Sequence, residues 1–208
     1  MNSHRKWRYA TKKFDTTKKV SETDLEIILE AIQLSASGYG LQPYTVYVVK
    51  NEDIRAKLQA QSYGQTPVTE ASHLIMFAAN TSLTDEYIDN YVALNESVRS
   101  MESGSLKGFG DMMKGSFAGK SKEDVTTWSS KQAYIALGSL LDVTAALKID
   151  ALPMEGFNPA GWNEILGLDD NGLTACVVCA IGYRAEDDKY QHALKVRKPL
   201  NDLIQVID

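Results

Sequence analysis

The chain has 208 residues, 44% of them hydrophobic and 24% charged, with five prolines and a net charge of −5. That length suits one large domain and is short for two, and the composition is that of an ordinary globular protein. A pI near 5.3 argues against nucleic-acid binding over a whole surface, and no apolar run reaches the ~18–20 residues of a membrane span.

The charge is uneven. Arg5, Lys6, Arg8, Lys12, Lys13, Lys18 and Lys19 crowd the start, while Lys195, Arg197 and Lys198 lie near the end. Charge alone allows two readings, a pair of solvated runs or a set of cations gathered round one anion, and favours the first. The opening MNSHRKWRYA lacks the apolar stretch of a signal peptide, so the cytoplasm is the expected compartment.

In chain order, Ser21 and Asp24 form a start like a capping box, followed by a helix with Leu25, Ile28, Leu29 and Ile32 on its apolar face. SASGYG at 35–40 reads as a loop of small residues and YTVYVV at 44–49 as a strand. Asn51 caps a short helix with Glu52 and Asp53 in its first turn. HLIMFAA at 73–79 is a buried strand, and Tyr87, Ile88, Tyr91, Val92, Leu94, Val98 and Met101 mark an amphipathic helix. Residues 103–120, with five glycines, read as a mobile segment. Ser121 and Asp124 cap the longest helix, which runs to about Leu147. From Ala133 on it is apolar nearly all round and is expected to be buried on most sides. A short helix follows Pro159, and LTACVVCAIGYR at 173–184 is the third strong strand. Strands so far apart are not simple hairpins. The pattern predicts one α+β domain over 1–208, a small mixed sheet wrapped by helices, with a long buried central helix.

Much familiar chemistry is missing from the sequence. His4, His73 and His192 have no partner at metal-ligand spacing, so no metal is expected. His73, opening a strand, reads as a core or capping residue. There is no nucleophile elbow, P-loop or G-x-G-x-x-G. Gly38-Tyr39-Gly40 follows a helix and precedes a strand, the reverse of a dinucleotide-binding turn. Cys176 and Cys179 lie three apart on a strand and are expected on opposite faces, unable to pair easily. Any difficult chemistry would need an organic cofactor.

Four segments together resemble the FMN-dependent nitroreductase family: RYATKKFD at 8–15, LSASGYGLQPY at 34–44, WSSKQAYIALG through IDALPMEGF at 128–157, and GYR with LKVRK at 182–198. The resemblance covers essentially the whole chain and implies a nitroreductase-like fold. It implies a cytoplasmic flavoprotein that takes hydride from NADH or NADPH and reduces a small acceptor such as a nitroaromatic, a quinone or a flavin by a ping-pong mechanism. A homodimer with shared active sites is implied too, with no nucleic-acid or membrane partner.

By the same resemblance, Arg8, Lys195 and Arg197 contact the phosphate and ribityl chain of FMN, and Lys12 lies beside the flavin's pyrimidine edge. Ser35, Ala36, Ser37 and Gly38 match a loop that reaches the flavin of the other subunit, with Gln42 just beyond it. In Pro153-Met154-Glu155-Gly156, the Glu155 and Gly156 N–H groups would neighbour flavin N5 and O4. Tyr39, Phe109, Lys131 and Gln132 are the expected substrate-side residues, although Phe109 reads equally well as a core aromatic. Some positions depart from the family pattern. Ala10 stands where many relatives have Ser, and Gly40 where several have Asn. Gly64, Gln65 and Pro67 occupy a flavin-contacting stretch in which Gln65 is the candidate. Two other readings stay open, a flavin-binding storage or sensing protein without turnover, and a dehydrogenase of one specific metabolite on the same fold.

Overall fold

The computed structural model describes residues 2–207. In chain order the elements are α1 (Ser3–Trp7), α2 (Glu22–Gln33), β1 (Tyr44–Val49), α3 (Glu52–Ala60), α4 (Pro67–Glu70), β2 (His73–Asn80), α5 (Asp85–Val98), α6 (Lys107–Phe117), α7 (Lys122–Ala146), β3 (Asp150–Met154), α8 (Pro159–Leu166), β4 (Leu173–Gly182) and α9 (Leu200–Leu203). The helix starts follow side-chain chemistry. Ser21, Asn51 and Thr84 each accept from a backbone N–H three residues on, and Ser121 with Asp124 closes a full capping box on α7.

The sheet order is β1-β2-β4-β3, antiparallel at every pairing. The parallel part of the expected mixed sheet is a single bridge, Ala10 to Ala151. Alternation along β2 sorts its side chains. Leu74, Met76 and Ala78 face a core closed by Leu58, Val68 and Trp162, while Ile75 and Phe77 face one closed by Ile28, Ile32, Leu137 and Leu140. The sheet thus lies between α3, α4 and α8 on one side and α2 and α7 on the other. A satellite cluster of Leu41, Ile88, Val92, Met113 and Phe117 joins α5 and α6.

Three expectations need correction. The glycine-rich stretch expected to be mobile carries α6. Gly110, Met113 and Phe117 fall on one buried face, and Glu96 shapes the turn before it by accepting from the N–H groups of Gly104 (3.0 Å) and Leu106 (2.8 Å). β3 is a fourth strand that the sequence reading passed over. Cys176 and Cys179 do not face opposite ways. A bulge between Phe77 and Ala78 of β2 sets an extra β4 residue against the partner strand, so alternation resets and both cysteines pack toward α7, each with a free thiol.

The long helix buries Val125, Ser129, Gln132, Ala133, Ala136, Leu137, Leu140 and Thr144, one stripe at helical spacing. Its other side is open within one chain, with Tyr134 38% and Ile135 47% exposed. Burial on most sides is therefore not reached by this chain alone. After β4 the chain runs over the surface, and Leu194, Val196, Leu200, Leu203, Ile204, Val206 and Ile207 are exposed. Among the described residues no helix is long and apolar enough to cross a membrane.

Candidate functional site

The two basic ends meet. Trp7 ends α1, and the chain continues from the extended Arg8 to Ala10, which bridges to Ala151 on the outer edge of β3. Asp188, 2% exposed, joins this segment to the C-terminal one. Its Oδ2 accepts from the N–H groups of Lys12 (2.8 Å) and Lys13 (3.0 Å), and its Oδ1 from that of Tyr190 (2.8 Å). Burial pushes the Asp188 carboxyl up, but the N–H donors of Tyr190, Lys13 and Lys12 together outweigh it and hold it below the ordinary carboxylate value.

Between the two segments lies a cavity of 540 Å3, lined among others by Arg8, Ala10, Lys12, Lys195 and Arg197. The Lys195 ammonium donates to the Arg8 carbonyl. Among the described residues no carboxylate pairs with Arg8, Lys12, Lys195 or Arg197, and Arg8 Nε is buried without a hydrogen-bond partner. Burial and then the Arg197 charge hold Arg8 below the usual guanidinium value; burial, Arg8 and Arg197 do the same to Lys195. Crowded cations with an unused buried donor are relieved by an anion carrying several acceptor oxygens. A phosphate monoester such as the end of FMN fits this donor set. A recess of 720 Å3 continues from Arg8, Lys195 and Arg197 to Gly138, Leu141 and Asp142 on the open side of α7.

A second locus is the corner after β3. Gln65 Nε2 donates to the Gly156 carbonyl at 2.6 Å, and the Tyr134 hydroxyl donates to Glu155 Oε1. Burial, then the Glu155 hydrogen bond, pushes the Tyr134 phenol well above its usual value, so it stays a donor. The corner is pinned from both sides. Among the described residues the exposed N–H groups of Glu155 and Gly156 donate to no protein acceptor. Pro153 lies half-buried at the strand's end.

The loop from Ser35 to Gln42 is the third. Gly38 N–H donates to Gln132 Oε1 (2.8 Å), Gln42 N–H to Ser37 Oγ (3.0 Å), Gln42 Nε2 to the Gln33 carbonyl (2.8 Å), and the Tyr91 hydroxyl to the Tyr39 carbonyl (2.6 Å). These bonds hold Tyr39 (φ 56°) and Gln42 (φ 44°) in the left-handed region, which costs an L side chain roughly 1–2 kcal/mol. A Cβ on Gly38 would sit 2.6 Å from the Trp128 ring, and one on Gly40 (φ 79°) would collide with the Tyr91 hydroxyl, so neither position takes a larger residue without a shift. The Tyr39 ring meets Phe109 and Phe117 edge-on at 6.4 and 6.3 Å, at the rim of the α5–α6 cluster.

The structure therefore unites Arg8, Ala10, Lys12, Lys195 and Arg197, and separately unites Gln65, Glu155 and Gly156. It does not bring Ser35, Ala36, Ser37, Gly38 or Gln42 to them, since neither cavity at the basic cluster is lined by any of those residues. Lys131 is exposed on α7. Gln132 turns inward. Its amide is engaged by Gly38 N–H and the Trp128 carbonyl (3.1 Å), so it holds the loop. Asp188 and Tyr134 were missed as site-building residues. For Tyr134 a usable signal existed, an aromatic with a polar tip in the apolar half of a helix.

A family model described as the nitroreductase family matches residues 6–183. A Staphylococcus haemolyticus protein whose name proposes an NAD(P)H nitroreductase is 34% identical over 212 residues, covering 97% of this chain and 94% of that one. A Staphylococcus epidermidis structure, proposed by its description to be an NAD(P)H:FMN oxidoreductase, superposes with a TM-score of 0.87 at 19% identity, covering 99% of this chain and 95% of the other. A third, from Exiguobacterium sibiricum and described as a proposed nitroreductase in complex with FMN, has a TM-score of 0.82 at 19% identity, covering 98% and 95%. The fold, the extent of the match and the level of identity agree: this chain belongs to the nitroreductase family, and its reaction class is oxidoreduction.

Proposed function

We propose that the protein is a cytoplasmic, FMN-dependent NAD(P)H oxidoreductase whose two active sites are each built from two copies of the chain. The observation that carries this reading is the meeting of Arg8, Lys195 and Arg197 with no carboxylate paired to them among the described residues and one buried donor unused. When bound, FMN would take hydride from NADH or NADPH and deliver electrons to a nitroaromatic, quinone or flavin that occupies the same place in turn.

The chain's own residues supply binding and orientation. Arg8, Lys195 and Arg197 hold the phosphate through charge-assisted bonds. Lys12 brings a cation to the pyrimidine edge, where negative charge is favoured on reduction. The corner of Pro153, Glu155 and Gly156 presents two uncommitted N–H donors, and Gln65 and Tyr134 keep it from moving. Ser35, Ala36, Ser37, Gly38 and Gln42 complete the site from the partner subunit, which explains why one chain leaves them apart from its own cradle. Tyr39, Phe109 and Lys131 flank the mouth, and a flat, mostly apolar opening discriminates weakly among acceptors.

The test is a panel of acceptors run on purified, flavin-loaded protein with NADH and with NADPH. Steady-state lines that stay parallel as the second substrate varies support the reading. Protein that gains no flavin absorbance after incubation with FMN would sink it.

A further inference from the structure

Arg184, two residues beyond β4, grips a buried carboxylate. Its Nε lies 2.9 and 3.1 Å from the two oxygens of Asp150, its Nη2 lies 2.6 Å from Oδ1, and its backbone N–H donates to Oδ2 at 2.8 Å. Asp150 is 3% exposed and also accepts from the buried Thr11 hydroxyl at 3.3 Å. An interior carboxylate with its charge matched and both oxygens filled is a fixed point.

The same guanidinium also lies over two aromatic rings. Its central carbon lies 4.4 Å from the Trp7 ring centroid and 4.6 Å from that of Tyr9, within cation–π reach of both. Arg8 sits between them with φ −66° and ψ 143°, in extended backbone. These angles are those of a polyproline II turn, in which successive side chains leave about a third of a turn apart. Gripping the residues before and after Arg8 therefore fixes its backbone on the wall of the cavity that it shares with Lys195 and Arg197.

We propose that Arg184, anchored on Asp150 and clasped by Trp7 and Tyr9, is the positioning residue that holds Arg8 at the phosphate. The assignment rests on the FMN reading above. It explains why a half-buried arginine remains without an acid partner in the cradle: its backbone is fixed by the neighbours' grip, so no carboxylate is needed to hold it.

The experiment titrates the full-length chain with FMN and, separately, with riboflavin, which lacks only the phosphate. Arg184→Lys keeps a charge opposite Asp150 but loses the planar fork. Trp7→Leu leaves the Arg184–Asp150 pair whole and removes one clasp, so it serves if the first variant folds poorly. Each is expected to weaken FMN about three- to tenfold while riboflavin affinity stays within about twofold. In an Arg8→Met background neither should add a further loss. Equal weakening of FMN and riboflavin, or losses that simply add in the Arg8→Met background, would overturn the positioning role. A wild-type chain that does not prefer FMN over riboflavin removes the phosphate cradle itself, and this proposal with it, a result visible before any variant is made.

Discussion

Arg197 and Lys198 are adjacent cations of unequal standing, since Arg197 lines the cradle and Lys198 does not. Arg197→Ala removes charge-assisted bonds worth roughly 1.5–3 kcal/mol, about a ten- to hundredfold loss of FMN affinity. Lys198→Ala should change affinity little, and fluorescence titration of both variants compares them directly. Asp188 makes a prediction in pH. Its folded carboxyl titrates below its unfolded value of about 3.9, so its contribution to stability is present above that value and is lost as pH falls through the depressed folded one. Asp188→Asn should melt lower than wild type at neutral pH, and the gap should close at strongly acid pH. A gap that stays constant down to the acid limit would refute the role assigned to the charge. Of these residues, the cradle arginines and lysines were visible in sequence as clusters near the two ends. Asp188 was not, because an acid among EDDK at 186–189 looks like any solvated run until the fold buries it.

At the scale of elements, legibility tracked whether a local signal matched the tertiary outcome. α2, α3 and α7 announce themselves by caps and apolar period. β3 hides because DALPM is short and carries a proline, and only pairing with β4 makes it a strand. α6 hides because three glycines mask a buried face whose partner is α5. The loop from Ser35 to Gln42 was legible in composition but not in conformation, since its left-handed residues depend on bonds from Gln132 and Tyr91. Gln132→Leu keeps the volume and removes the acceptor for Gly38 N–H. The expected cost is about 1–2 kcal/mol, or roughly 2–8 °C in Tm at about 2–4 °C per kcal/mol, read by thermal unfolding. If the loop serves the partner's flavin, FMN affinity should fall with it.

At the scale of the molecule, the open side of α7 and the exposed apolar C-terminal run are surfaces that one chain does not cover. A partner that covers them and completes the flavin site links binding to association, so FMN should raise Tm and shift dilute protein toward the dimer. Light scattering on dilute, flavin-loaded protein decides the matter, and an active species of about 23 kDa, the mass of one chain, would refute the shared site.

The strand order carries a consequence for synthesis. The central pair of the sheet joins β2, ending at Asn80, to β4, beginning at Leu173. While the ribosome makes the intervening residues, β1 and β2 form a two-stranded ribbon whose inner edge has nothing to bond. That nascent edge exposes HLIMFAAN, a nearly uncharged β-forming run, for as long as translation of four helices and β3 takes. A transcript truncated just before β4 should therefore yield aggregated product, whereas one that ends just beyond Gly182 should leave the sheet closed and fail only at the cradle.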